Sequence, residues 1–275
     1  MSILLSTAIV VVVTAVAVTA MLVARRRAPE GSRFNDGDRA AGVFGVLATG
    51  FSVLLGFVVF LSFESYDVAR TGSQAEARVV SQQLETALLL PEDVQSDLIA
   101  ELTCYARSVV GIQWERMEDG DLGEELNPWG VELARTTQAV DPESTSEQSA
   151  FDHWLDQTVE REDARQDRVH GALGVIPTPL WIVLFFITVV IFVYMLFFAD
   201  SGEAAVVQAM LMGSVVAVIT AMLLLLNFLD DPFHDGIGGL QPDAMERTQQ
   251  VIEEELAAAD LDLTLPCDGA GMPVG

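Results

Sequence analysis

The chain contains no lysine, two cysteines, three histidines and four long stretches with no charged residue at all. The missing lysine leaves 14 arginines against 40 acidic residues, a formal net charge of −26. Nucleic acid is excluded as a partner, because phosphate contacts need a basic surface. There is no His-Glu-x-x-His pair and no cysteine–histidine ligand spacing. His153 beside Asp152 and Asp156, and His234 beside Asp231 and Asp235, are carboxylate–imidazole neighbours without a metal-site spacing. Neither a metal nor a cofactor is expected. Nucleophile elbow, phosphate loop and dinucleotide fingerprint are also lacking, so the chain does not read as an enzyme.

The uncharged stretches are Ile3–Val23, Ala40–Phe63, Pro179–Phe198 and Ala204–Leu229. Each reaches the roughly 18–20 residues that cross a hydrocarbon core of about 30 Å. In lipid a single span must satisfy its own backbone, which makes each one a helix. The expected class is all-α: a polytopic membrane protein with four transmembrane helices and an extramembrane helical bundle inserted between helices two and three. The first span carries Arg25, Arg26 and Arg27 after its apolar core rather than before it, the pattern of a retained helix and not of a cleaved signal.

Four regions follow. Residues 1–63 hold the first two spans and a short arginine-rich loop. Residues 64–176 form an acidic helical domain, with eight arginines against 24 acidic residues. Residues 177–229 hold spans three and four, and 230–275 form an acidic tail expected to be partly disordered. The second span continues past the membrane, since Tyr66, Ala69, Ser73, Ala77, Val80, Leu84 and Ala87 recur at spacings of three and four. Pro91 ends that run, and Val94, Leu98, Leu102, Tyr105, Val109 and Ile112 then share the face of an antiparallel partner helix. Between residues 118 and 150 the periodicity dissolves among Gly120, Gly123, Pro128, Gly130 and Pro142, which predicts a flexible linker. A further helix is expected from about residue 147 to 171, and an acidic one near residues 242–259. Five arginines between Ala24 and Arg39 place that loop in the cytoplasm. The N-terminus, the 64–176 domain and the C-terminus are then extracytoplasmic, with the protein in the plasma membrane.

Several residues stand out as candidates. Phe57, Phe60 and Phe63 could line a pore constriction that closes by dewetting, or face lipid and bundle neighbours, the blander and favoured alternative. Gly42, Gly45 and Gly56 in span two, and Gly213, Ala217 and Ala221 in span four, suit close helix packing. Gln208 and Asn227 are expected to bond between helices. Glu64, Asp67 and Arg70 leave the membrane at the depth where Arg165 and Arg168 approach it, which predicts an ion-pair layer; a collar for a ligand or a lipid headgroup is the alternative. Cys104 and Cys267 fall on one side of the membrane. They could form a disulfide or, as favoured because nothing sets their separation, remain independent thiols with Cys104 accessible.

Asn35–Asp36, Gly42, Leu55–Gly56–Phe57, Tyr66, Ala69–Arg70, Glu76–Ala77, Leu90–Pro91, Tyr105, Val109, Trp114 and Met117 occur in a suggestive order. Arg165, Arg168, Ile176–Pro177, Trp181 and Asp231–Pro232–Phe233 continue it. Over about residues 35–245 the chain resembles the bestrophin-like domain family of four-pass bacterial membrane proteins, distantly related to the bestrophins, which are pentameric anion channels. The resemblance implies the four-helix plan and an oligomeric channel. It also implies a cytoplasmic soluble region, opposite to what the arginines indicate, and the expectation here follows the arginines.

The expected function is therefore a homo-oligomeric ion channel of unspecified selectivity, in contact with membrane lipid. So acidic a surface attracts cations and repels anions, which weighs against anion selectivity. Ionisable groups at membrane depth, the usual mark of coupled transport, are absent from the spans. The alternative is a nonconducting scaffold or sensor whose acidic domain binds a protein partner.

Overall fold

The computed structural model describes residues 3–30, 33–34, 36–120, 127–172, 174–234, 236, 238–258 and 263–274. Asn35, Gly123, Asp235 and Ala259 lie outside the described residues. Nine α-helices are described: α1 (Ile3–Arg26), α2 (Gly37–Ala87), α3 (Glu92–Ser108), α4 (Trp114–Glu118), α5 (Pro128–Gln138), α6 (Thr145–His170), α7 (Thr178–Phe197), α8 (Ala205–Asp230) and α9 (Asp243–Ala258). A π-helical turn, Val109–Gln113, joins α3 to α4. Among the described residues there is no strand, only an isolated bridge between Cys267 and Pro273. α1, α2, α7 and α8 are long and apolar enough to cross a membrane.

The chain divides into two compact units, one of residues 1–65, 174–230 and 235–237, the other of residues 66–173, 231–234 and 238–275. α2 contributes to both as one helix of 51 residues. Its first half has no charge to solvate. Its second half keeps an apolar stripe with no proline and only Gly72 to weaken it.

In the first unit, Phe51, Leu55 and Val58 of α2 pack with Leu184 and Ile191 of α7 and Leu226 of α8. α1 packs on α8 through Ala17, Met21 and Met212. Arg25, at the end of α1, donates to the carbonyls of Ser201 (3.0 Å) and Glu203, tying α1 to the α7–α8 connection. α7 begins at Thr178 with Pro177 in the cap position and no side-chain cap. At this same end of α7, Asp230 of α8 accepts from the Ile176 N–H (2.9 Å) and the Trp181 indole (3.4 Å).

The second unit has a water-soluble type of core. Leu84, Leu98, Leu102, Tyr105, Trp154 and Ile252 are 0–1% exposed, and each buried aliphatic of this size contributes about 1.5–3 kcal/mol. α3 is buried on nearly every side, with Ile99, Thr103, Cys104 and Ala106 enclosed as well as its apolar stripe. Its sequence pattern predicts one buried face, because only one face is apolar enough to show. The linker expected over 118–150 contains α5, whose Trp129 and Leu133 reach the core. Two anchoring residues in eleven are too few to register as a period. Asn127 caps α5 ahead of Pro128, and Ser144 with Glu147 forms a capping box for α6. The acidic helix expected near residues 242–259 is α9, whose Met245 and Ile252 enter the core, and Thr248 donates to the Ala77 carbonyl at 3.0 Å.

Candidate functional site

The first group of sequence candidates lies on α2. Phe57, Phe60 and Phe63 are 60%, 61% and 53% exposed. Steps of three along a helix rotate each residue by about 60° from the last, so the three rings spread over about a third of the helix surface with Phe60 central. Gly42, Gly45 and Gly56 are exposed, and a Cβ at any of them would meet nothing within 4 Å. Within the chain these three glycines meet no other helix, so this face of α2 is open. Thr49 and Ser52 are exposed with them, so glycines and short hydroxyl side chains recur at 42, 45, 49, 52 and 56. Gly213 does pack, with its Cβ position 3.3 Å from Val18 and 3.5 Å from Thr14 of α1. Ala217 is half-buried and Ala221 exposed. Gln208 bonds to the Asp200 carbonyl and the Glu203 carboxylate rather than across to a second helix, and Asn227 is exposed.

The expected ion-pair layer is replaced by a different pair. Glu64, Asp67 and Arg70 are exposed and carry no ion pair among the described residues. Arg168 pairs instead with Glu76, both side chains at 0% exposure. The reason is depth along the rod: Glu76 lies more than two turns beyond Asp67, where the α2 stripe faces α6. Arg168 Nε donates to Glu76 Oε2 at 2.5 Å and Nη2 to Oε1 at 3.0 Å. The Tyr105 hydroxyl donates to the same Oε1 at 2.5 Å, and Arg168 Nη2 also donates to Gln113 Oε1 at 3.0 Å. Burial, then the charge of Glu76, pushes the Tyr105 phenol well above its usual range. Burial works to discharge Arg168, but Glu76 and Tyr105 more than offset it, so its pKa is raised. Two turns earlier on α6, Arg161 donates to Gln83 Oε1 at 2.8 Å and sits 5.0 Å from the centre of the Tyr105 ring.

This network is possible because α2 and α6 nearly touch. A Cβ on Gly72 would sit 2.6 Å from the Asp167 Cβ and 2.8 Å from the Arg168 nitrogen, and one on Gly171 would sit 2.2 Å from the Ala69 Cβ. These are the packing glycines of the second unit. Sequence reasoning missed them because they lie outside the uncharged spans, where small-residue stripes mark helix packing.

Cys104 and Cys267 form a disulfide. The favoured expectation of two independent thiols, with Cys104 accessible, is corrected: Cys104 is 0% exposed in the enclosed C-terminal half of α3. The tail that brings Cys267 there is held by Gly271. Its φ is +78°, its Cβ position would overlap the Ser108 nitrogen at 2.2 Å, and its carbonyl accepts from the Trp129 indole at 2.6 Å.

The remaining motif residues serve packing. Tyr66, Ala69, Trp114, Met117 and Phe233 share one cluster, with Trp114 edge-on to Phe233 at 5.1 Å. The Tyr66 hydroxyl donates to the Gly238 carbonyl at 2.8 Å. Pro91 and Pro177 occupy helix-cap positions, and the carbonyls of Asp231 and Pro232 accept from His234 and from the Leu240 N–H. His153 contacts Gln157 at 3.1 Å, and no group of three metal-ligating side chains occurs among the described residues.

A model of the Bestrophin-like domain matches residues 11–245. The structure is similar to crystal structures of a bacterial bestrophin homologue from Klebsiella pneumoniae. A form of that protein with a tyrosine-to-alanine substitution has a TM-score of 0.68 at 14% identity, covering 89% of this chain and 98% of that one. A form with a tryptophan-to-alanine substitution has a TM-score of 0.65 at 15% identity, covering 91% and 98%. A membrane protein crystallised with a proline-to-alanine substitution gives 0.65 at 15%, covering 89% and 97%. At these identities the likeness establishes the fold. No curated protein matches the sequence.

Proposed function

Because the chain belongs to the Bestrophin-like domain family and is a multi-pass membrane protein, we propose that it is a homo-oligomeric channel whose conduction path is lined by α2. The open face of α2 carries this reading. A helix surface of Gly42, Gly45, Thr49, Ser52 and Gly56, exposed in its own chain and with open space around each glycine, leaves room for copies of itself around an axis. Phe60, flanked by Phe57 and Phe63, then supplies the narrowest, dewettable ring near the end of the apolar stretch. The acidic surface concentrates cations at the mouth, so the channel is expected to pass cations at least as readily as anions.

The helical region between spans two and three is read as extramembrane and extracytoplasmic. Two observations favour that side. Arg25, Arg26, Arg27, Arg33 and Arg39 cluster at the α1–α2 connection. The Cys104–Cys267 disulfide suits an oxidising compartment.

The test is mass measurement in detergent followed by planar-bilayer recording under a potassium chloride gradient. An oligomer is expected, with a reversal potential on the cation side or near zero and conductance altered by Phe60→Ala. A purified monomer without conductance would remove the channel reading and leave a scaffold or sensor in its place.

A further inference from the structure

Arg161, Arg165 and Arg168 stand one above another on α6, at spacings of four and three. Like charges stacked this way repel, so each should need an acceptor. Arg168 has Glu76 and Gln113, and Arg161 has Gln83, with Glu162 at 3.4 Å. Arg165, between them, has no hydrogen bond or ion pair among the described residues, and its buried Nε is without a partner. Asn127 is 9% exposed. Its Oδ1 accepts the Trp129 N–H at 3.1 Å, and its buried Nδ2 has no partner.

The two orphaned donors, Asn127 Nδ2 and Arg165 Nε, belong to residues that line the same cavity of about 80 Å³. The cavity lies where the π-helical turn, the start of α5 and α6 meet, and among the described residues no carboxylate lines it. That is unexpected in a protein with nearly three acidic residues for each arginine. A second cavity of about 250 Å³, which Glu162 borders, shares Asn127 and Arg165 with the first. A single water needs on the order of 10–15 Å³, so the smaller space admits a group of a few atoms and not a nucleotide. Buried donors without acceptors call for one, and an arginine beside a second donor suits a carboxylate or phosphate oxygen.

We propose that this cavity is a binding site for a small oxyanion, a carboxylate or a phosphate, recognised by Arg165 and Asn127. Arg116 and the Glu76-paired Arg168 also border it. The Gln113 amide, aligned by the π-helical turn and by its bond to the Ser108 hydroxyl (2.9 Å), holds Arg168 in place. The site is independent of whether the protein conducts.

Thermal unfolding of the full chain in detergent tests this, with inorganic phosphate or acetate titrated at constant ionic strength against a chloride control. Asn127→Asp retains the helix cap, since its carboxylate still accepts from Trp129, but presents a negative charge to the ligand. Arg165→Gln removes the charge. A saturable rise in melting temperature beyond the chloride control, with apparent affinity weakened at least about tenfold in both variants, supports the site. No rise beyond the control, or a response in the two variants equal to that of the wild type, overturns it. Short-chain phosphatidylglycerol separates the sources of the oxyanion: competition with phosphate assigns a lipid headgroup, and its absence a free ion.

Discussion

Glu76 and Arg168, 92 residues apart in sequence, form an ion pair from which solvent is wholly excluded. Such a pair adds little net stability once desolvation is counted, but removing one partner strands the other charge. Glu76→Gln is expected to lower the stability of the helical unit by about 3–5 kcal/mol. Tyr105→Phe, which deletes one bond to the same carboxylate, should cost about 1.5–3 kcal/mol. Denaturant unfolding followed by far-UV circular dichroism in detergent checks the order. Equal losses would mean that the pair is not held as described.

The α2–α6 crossing gives a sharper test of geometry. Gly171→Ala places a methyl group on Ala69, and overpacking of this kind costs about 1–3 kcal/mol. Ala69→Gly removes the obstructing methyl group. The double variant should therefore be more stable than the sum of the single effects predicts, with a coupling of about 0.5–3 kcal/mol in a double-mutant cycle. Simple additivity would contradict the close approach.

The disulfide links stability to topology. Cys267→Ala should cost about 2–5 kcal/mol, visible as a lower melting temperature that matches that of the reduced wild type. With the native cysteines paired, an added thiol reports sidedness. Ser149→Cys, at an exposed position of α6, should react with a membrane-impermeant maleimide on intact cells. Labelling only after lysis would reverse the orientation.

Glu101 predicts a pH effect. Burial raises its pKa above 4.5, only partly countered by the Thr136 hydroxyl bond at 2.8 Å. An acid raised in the folded state binds its proton more tightly there than in the unfolded chain. Its charged form is therefore a penalty, which grows as pH rises through the window above 4.5. Glu101→Gln should raise the melting temperature at neutral pH and lose that advantage below pH 4.5. Tyr105 and Arg168 act at the other extreme. Both are raised, but only the tyrosine releases its proton from the unfolded chain in an accessible range, so Tyr105 sets the window and stability should fall as pH climbs above 10.

How much of this is legible in the sequence varies by residue. The membrane helices are, because a charge in hydrocarbon is costly enough that a long uncharged run has few other uses. The continuation of α2 past Phe63 is as well, through its apolar stripe. α5 is not, since Trp129 and Leu133 alone carry it. Glu76, Tyr105 and Arg168 are each conspicuous, but nothing local indicates that they meet. Position in the chain assigns Arg168 to the wrong carboxylates, because it gives approximate depth and says nothing of which helix faces approach.

The sequence by itself determined that this chain is helical, that four of its helices suit lipid, and that its polar part is acidic. Those properties depend on composition and on periods of three to four residues, which any folded arrangement must respect. Only the tertiary structure decided which charges are neutralised and which cysteines meet. It also decided that the second half of α3 is enclosed all round and that Arg165, alone on its row, has no acceptor among the described residues. Such outcomes depend on pairings across tens to hundreds of residues, which packing geometry selects and local pattern does not encode.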